Sequence, residues 1–484
     1  MKVISLCDGL CKLIVIAWLL VLVDCQLPIP IQLTTVKDFV LFGKDDDDNF
    51  FLKILKNGVS KKNYKFLEDD DAFEEWIEKE KNYCFQGILN NIGGMGKFNL
   101  SNGVLEGVVI ASPSRSDPDY FYQWVRDAAL AVNSLVEYLD DNGIDNDDYK
   151  LSSIIESYVE NSYNLQRITN PSGGFEDLSG LGEPKFLTNN TPFSENWGRP
   201  QNDGPALRIL TISNFLKILN KYNSKLTRFP NEKYIYENIL KNDLKFILLN
   251  WNEDSFDLWE EIYSKHLFTS LTQLKALQIG LKLANFFNDQ DFYNELSIGF
   301  TQLKAFLQAG GFESSAAPYL IETPSLFFKN ARKGLDIATI LASLRSHDIT
   351  SIEDVSDIPY DISDPYLLNT FTALVNDMKY RYPINHQRIK FGTIGFGLGR
   401  YPEDVYNGVG YDFSSSVVKY ADSFLDVVRE HVDGQGSMSE QFNKYTGYME
   451  GADDLTWSYG ATWGSIRWRN KVLDIMNTTG AMAT

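Results

Sequence analysis

The sequence predicts an all-α protein. From Asp71 onward the apolar residues recur at helical spacing, and alternating β-branched runs of strand length are scarce. The segment 203–222 carries the start signals as well as the period. Asp203 can cap, Pro205 suits a first turn, and Ile209, Ile212, Leu216 and Leu219 share one face. With 484 residues, 44% of them hydrophobic, the chain can bury one large core or two smaller ones.

Taken in order, the elements begin with a leader. Lys2 and Lys12 precede an apolar run from Leu13 to Val23, too short to span a bilayer and suited to a signal peptide cleaved near Cys25. Residues 1–25 are therefore assigned to a signal peptide, 26–70 to an irregular extension with an acidic run at Asp45–Asp48, and 71–484 to the main helical domain. Helices are predicted near 71–92, 120–140, 150–165, 203–222, 232–250, 267–286, 289–308, 333–345, 363–380, 413–431 and 453–470. No later segment is apolar enough to cross a membrane.

Charge narrows the partners. The formal net charge of −20 repels nucleic acid and anionic lipid, and a neutral or cationic substrate suits that field better. Cys7, Cys11 and Cys25 leave with the leader, so Cys84 stands alone and the core must hold the fold. Asn99, Asn189 and Asn477 head glycosylation sequons. The four histidines are scattered, so no metal site and no cofactor are expected.

The chemistry lies between the helices. Segments 111–127, 171–208, 251–261, 391–408 and 433–457 concentrate Trp, Tyr, Arg, Asp and Glu, unlike ordinary short polar connections. If antiparallel helices pair successively, such loops converge on one end of the bundle. Glu260 and Glu261 follow Trp259, and Glu440 sits in a Gly/Ser-rich connection 180 positions after Glu260. Glycoside hydrolysis needs two carboxyls, one held protonated in apolar surroundings and one ionised beside water. Tyr120–Asp127 and Glu195–Pro205 add aromatic faces for sugar C–H surfaces and forked polar groups for hydroxyls. Arg126 with Asp127 reads either as a local ion pair at a helix start or as a buried pair holding sugar hydroxyls. Gly395–Gly399 imitates a phosphate loop but runs into Arg400-Tyr401-Pro402 instead of a helix, and is read as close packing near the pocket.

Eight stretches together resemble glycoside hydrolase family 15, in particular its yeast glucoamylases. They are ASPSRSDPDYFYQWVRDAAL (111–130), SYNLQRITNPSGGFED (162–177), GLGEPKF (180–186), WGRPQNDGPALR (197–208), FDLWEE (256–261), GRYPEDVYNG (399–408), SMSEQFNKYTGY (437–448) and DLTWSYGA (454–461). The resemblance implies a toroid of six helical hairpins, an α/α barrel, and an inverting hydrolysis of terminal α-1,4-linked glucose, slower at α-1,6 links. It implies Glu260 as general acid and Glu440 as general base, with carboxyls roughly 6.5–9.5 Å apart to admit water. It also implies Arg126, Asp127 and Arg400 on hydroxyls of the terminal glucose, Tyr120 near the developing charge, and Trp124, Trp197 and Trp259 lining the subsites. Leu258 and Glu261 match family positions beside the acid, while Asp404 is read as a brace for Arg400. The expected partner is an α-glucan, met by a secreted monomer, with the cell wall, vacuole or a spore compartment as alternative destinations.

The resemblance breaks after Tyr406-Asn407-Gly408. There the family continues into an Asn-Pro-Trp-Phe-Leu segment and a further helix, whereas this chain joins what resembles a later helix. The predicted helices number eleven, one short of six hairpins. Such a loss would open the pocket wall, so a weak or inactive glucan-binding relative stands as the alternative to an active enzyme. A trehalase or glucodextranase on the same toroid is the narrower alternative. No β-rich module with surface tryptophans follows the last helix, which favours soluble dextrins or gelatinised starch over raw granules.

Overall fold

The computed structural model describes residues 71–94, 101–144, 147, 149–347, 357–391, 395–404 and 421–478. The leader, the extension, Asn99 and the break after residue 408 lie outside them. The helices are α1 Asp71–Asn90, α2 Val125–Asn142, α3 Leu151–Gln166, α4 Gly204–Tyr222, α5 Glu232–Ile235, α6 Lys241–Asn250 and α7 Leu267–Phe286. They continue with α8 Gln290–Ala309, α9 Pro324–Phe328, α10 Ala338–Ser346, α11 Pro365–Arg381, α12 Ile384–Phe391, α13 Ala421–His431 and α14 Thr456–Thr478.

Burial sorts these helices into two circles. Every residue of α7 from Leu267 to Gly280 is buried, as expected of a helix with neighbours all round. It packs on α4 and α10, α4 packs on α2, and α2 packs on α14. Outside this run, α1 lies on α14, α3 on α2, α6 on α4, α8 on α7, α11 on α10 and α13 on α14. From α1 to α11 the longer helices thus alternate between an outer and an inner position, and one apolar cluster runs from Phe73 to Ile466.

Local chemistry explains where prediction and structure differ. Helix α2 starts later than predicted because Tyr122–Trp124 form a strand, β1, paired antiparallel with β2, Lys185–Leu187. Its aromatic residues favour that pleated, half-buried setting. The span 232–250 is broken by a π-helical turn at Tyr236–Leu240. Asp203 stands at the N-cap of α4 without making the predicted cap bond: its backbone is already helical, at φ −82° and ψ −32°, instead of the extended form a capping residue takes, and its Oδ2 accepts from Arg126; Pro205 does occupy the first turn. Two further strand pairs, β3 Ser255–Phe256 with β4 Tyr263–Ser264 and β5 Gln441–Phe442 with β6 Met449–Glu450, pin the loops that carry the glutamates. Helices α9 and α12 were not predicted, being too short to show a period. Of the predicted helix 413–431, only 421–431 is described.

Candidate active site

Five loops meet at one end of the helices, and their contacts define the site. Pairing of β1 with β2 sets Trp124 opposite Lys185 and delivers Trp124 as the last extended residue before α2. The indole Nε1 of Trp124 donates to Glu260 Oε1 at 2.8 Å. Gln201 Nε2 donates to the same oxygen at 2.8 Å, and Arg126 NH2 lies 3.5 Å from it. Glu260 adopts φ +65°, a left-handed conformation that a non-glycine residue takes only when its surroundings impose it. The turn is tied by Asp257, whose carbonyl accepts from Glu260 N at 3.0 Å and whose Oδ1 accepts from Glu261 N at 2.7 Å and Ile262 N at 2.9 Å.

Glu440 faces the same aromatic floor from another loop. Tyr120 donates its hydroxyl to Glu440 Oε1 at 3.1 Å, and its ring lies 5.5 Å from that of Trp124. The two carboxylates are therefore joined through two touching rings, one bonded to each. The loop of Glu440 is held by Ser439 on Asp453 at 2.8 Å and by Asn443 on Glu450 at 2.9 Å. Gly451, at φ +82°, leaves room for it: a Cβ there would stand 2.6 Å from Glu440 Oε2.

Charged groups surround the acid side. Arg126 is buried and bonded through NH1 to Gln201 at 2.9 Å and Asp203 at 2.8 Å, with Asp127 farther off at 3.8 Å. Its main ionic partner is thus Asp203, so the local ion pair with Asp127 is the minor contact. Burial works against the guanidinium's charge, but Asp203, Asp127 and Glu260 outweigh it and raise its pKa. Burial raises the Asp127 carboxyl to about 6, with Arg126 opposing and Glu260 and Asp203 adding to the rise. Arg400 is held by Asp404 through two bonds of 2.7 and 2.6 Å, as the reading of Asp404 as a brace requires. Glu261 is a hub: Arg400 lies 2.9 Å from Oε1, Arg332 lies 2.9 Å from Oε2, and the Tyr401 hydroxyl donates to Oε2.

The structure brings Tyr120, Trp124, Arg126, Asp127, Trp197, Trp259, Glu260, Glu261, Arg400 and Glu440 into this one cluster of contacts or beside it. Trp197 packs edge-on against Trp124 at 5.9 Å. The Arg400 guanidinium lies 5.3 Å over the Trp259 ring. Leu258 differs: it is buried in the core and makes none of these contacts. Gly395–Gly399 is a packing segment, with Gly397 bonded through both backbone groups to Asn385.

Some participants have no role in the sequence reading, although Lys185 stands in the GLGEPKF stretch. Lys185 is 2% exposed, and its Nζ is caged by Trp197, Tyr122, Phe193 and Trp124 at 3.6, 4.1, 4.1 and 4.5 Å. Burial lowers its pKa to about 8. Gln201 and Asp203 stand in a segment read as polar groups for sugar hydroxyls, Asp203 also as a helix cap, but neither is singled out there as a partner of Arg126. Arg332 and Asp336 lie in ARKGLDIATI, outside the eight stretches that carry the resemblance.

The family model for glycosyl hydrolases family 15 matches residues 85–412 and 410–463. The two matches meet where the sequence departs from the family after residue 408. A glucoamylase of Saccharomycopsis fibuligera is 38% identical over 494 residues, covering 85% of this chain and 92% of its own. The intracellular, sporulation-specific glucoamylase of Saccharomyces cerevisiae is 34% identical over 505 residues, covering 87% and 88%. Among solved structures, the Saccharomycopsis fibuligera glucoamylase matches with a TM-score of 0.76 and 36% identity over 84% of this chain and 96% of that one. The Hypocrea jecorina glucoamylase matches with a TM-score of 0.68 and 28% identity over 83% and 73%. The inner and outer helices are accordingly those of an (α/α)6 barrel. Family match, relatives and fold agree, and the chain belongs to glycoside hydrolase family 15 as a glucan 1,4-α-glucosidase.

Proposed function

We propose that this enzyme removes glucose one unit at a time from non-reducing ends of starch, glycogen or dextrins, with inversion, cutting α-1,4 links faster than α-1,6 links. The observation that carries the reading is the bridge Glu260–Trp124–Tyr120–Glu440, which sets two carboxyls from distant loops on one aromatic floor. In this reading Glu260 is the general acid. Its Oε1 takes the donors from Trp124, Gln201 and Arg126, which leaves Oε2 to carry the transferable proton. That proton passes to the glycosidic oxygen as the C1–O bond breaks. Glu440, the general base, takes a proton from the water whose oxygen attacks C1 from the opposite face, and β-glucose leaves. The Tyr120 hydroxyl orients Glu440 by donating to its Oε1. Arg126, Asp127 and Arg400 bind hydroxyls of the terminal glucose, and Trp124, Trp197 and Trp259 line the subsites. The reaction is assigned to a secreted monomer.

Purified protein given maltose, maltotriose, isomaltose and trehalose tests this. The reading expects glucose from the first three, slowest from isomaltose, and none from trehalose. A folded protein that quenches its tryptophan fluorescence with maltotriose but releases no glucose would be a glucan binder instead, and faster turnover of trehalose would make it a different hydrolase.

A further inference from the structure

The residue before the acid and the residue after it are gripped by one short segment. Arg332 holds Glu261, and four positions later Asp336 holds Trp259. The indole Nε1 of Trp259 donates to both oxygens of Asp336, at 3.0 and 3.1 Å. Asp336 is itself fixed, because its Oδ1 accepts from Ala338 N at 2.8 Å at the start of α10. The next residue, Ile337, donates its N–H to Arg400 O at 2.8 Å. Segment 332–337 therefore ties the loop of Glu260 to the loop of Arg400 and to an inner helix.

A hold of this kind has something to oppose. Glu260 sits at φ +65°, a conformation its own chain does not favour. Asp257 ties the turn from within, but its bonds are to backbone groups and leave the planes of the flanking side chains unset. We propose that Asp336 is a positioning residue for hydrolysis: by accepting the Trp259 indole N–H it fixes that ring and, with Arg332 on Glu261, keeps the strained backbone that aims Glu260.

The surroundings of Asp336 fit an acceptor better than a charge. It is 4% exposed, and Glu322 beside it is 3% exposed with one carboxylate oxygen, Oε2, buried and unpartnered among the described residues. Burial raises the Asp336 carboxyl to about 8, and burial with Asp336 nearby raises Glu322 well above its ordinary value. Both are neutral in acid. An amide at position 336 would keep an oxygen for the indole, whereas a methyl would not.

This inference rests on the proposed hydrolysis, and its test is built to separate the two. Steady-state rates on maltotriose are compared for the wild type, Asp336→Ala, Asp336→Asn and Trp259→Phe, with the Trp259 indole N–H followed by NMR in 15N-tryptophan-labelled protein. Misplacement of an acid from a distance can cost about 10²-fold, so kcat of Asp336→Ala is expected to fall by that order while KM stays within about threefold. Asp336→Asn is expected to recover kcat to within about tenfold of the wild type, and Trp259→Phe, which loses the indole N–H and part of the ring, to lower kcat at least as far as Asp336→Ala, with KM free to rise because the ring also lines the sugar site. The Trp259 indole signal should move in Asp336→Ala and stay near its place in Asp336→Asn. Normal kcat in folded Asp336→Ala or in Trp259→Phe overturns the proposal, as does an asparagine as damaged as the alanine. If Asp336→Ala does not fold, Trp259→Phe and Asp336→Asn decide. Should the wild type release no glucose, the hydrolytic reading fails, and an unmoved indole signal would then overturn this one too.

Discussion

At the scale of single residues the site divides labour between two carboxyls set in unlike surroundings. Replacing either should remove most of the rate, because proton transfer by a positioned side chain contributes about 10²–10⁴-fold. Glu260→Gln keeps the shape of the corner and the donors from Trp124 and Gln201 but has no proton to give. Its kcat on maltotriose should fall by about 10³-fold with KM little changed, and a rate within about tenfold of the wild type would refute the acid assignment. Gly451→Ala tests the other side. The residue is at φ +82°, and the added Cβ would meet Glu440 at Oε2 and Cβ, so this one methyl should displace the base and lower kcat more than it lowers stability. Comparing kcat with the urea midpoint separates the two effects.

At the scale of elements, short strands and helix contacts do the placing. The β1–β2 pair exists to set Trp124 beside Lys185, whose ammonium braces four rings at once. Lys185→Ala removes that brace, worth roughly 2 kcal/mol where the cation is desolvated. It should reduce both thermal stability and kcat, since Trp124 is bonded to Glu260. Helix α1 meets α14 at Gly87, where a Cβ would stand 2.4 Å from the ring of Tyr459. Tyr459 donates its hydroxyl to Asp454, in the loop that follows Glu440, and accepts from the N–H of Met438, two residues before it. Gly87→Ala is expected to destabilise by about 1–3 kcal/mol in urea unfolding, the usual cost of overpacking.

At the scale of the whole molecule, pH should act on stability through buried acids. Folded Asp336 and Glu322 keep protons at a pH where the unfolded chain has lost them, so acidification favours the folded state below pH about 8. Burial lowers the pKa of His266, which opposes this below its ordinary 6.5, and Lys185 works the other way near and above its value of about 8. Between pH about 7.5 and 6.5 His266 and Lys185 are each in the outer part of their transitions and the carboxyls outweigh them, so Tm by circular dichroism should rise as pH falls through that interval. Asp336→Asn should flatten the rise.

The whole molecule also shows what a sequence can hold. The helical period from Asp71 onward was legible because the inner and outer helices each bury a continuous face, as in Ile209, Ile212, Leu216 and Leu219 of α4. Glu260, Glu440, Arg126 and Trp124 were legible because they stand in long motifs. Arg332 and Asp336 were not, since their partners, Glu261 and Trp259, are some 70 to 80 positions away and only packing brings them together. The strand at Tyr122–Trp124 was hidden for a similar reason: its pairing residues lie beyond residue 184, and a short strand before a helix looks like the helix's first turn.

The central claim is that two carboxyls on one aromatic floor invert a terminal α-glucosidic link. Its most direct test follows purified protein with maltotriose by proton NMR and reads the anomer formed before mutarotation. The account predicts β-glucose appearing first, together with maltose. First-formed α-glucose, or no glucose from a protein whose circular dichroism shows it folded, would contradict it.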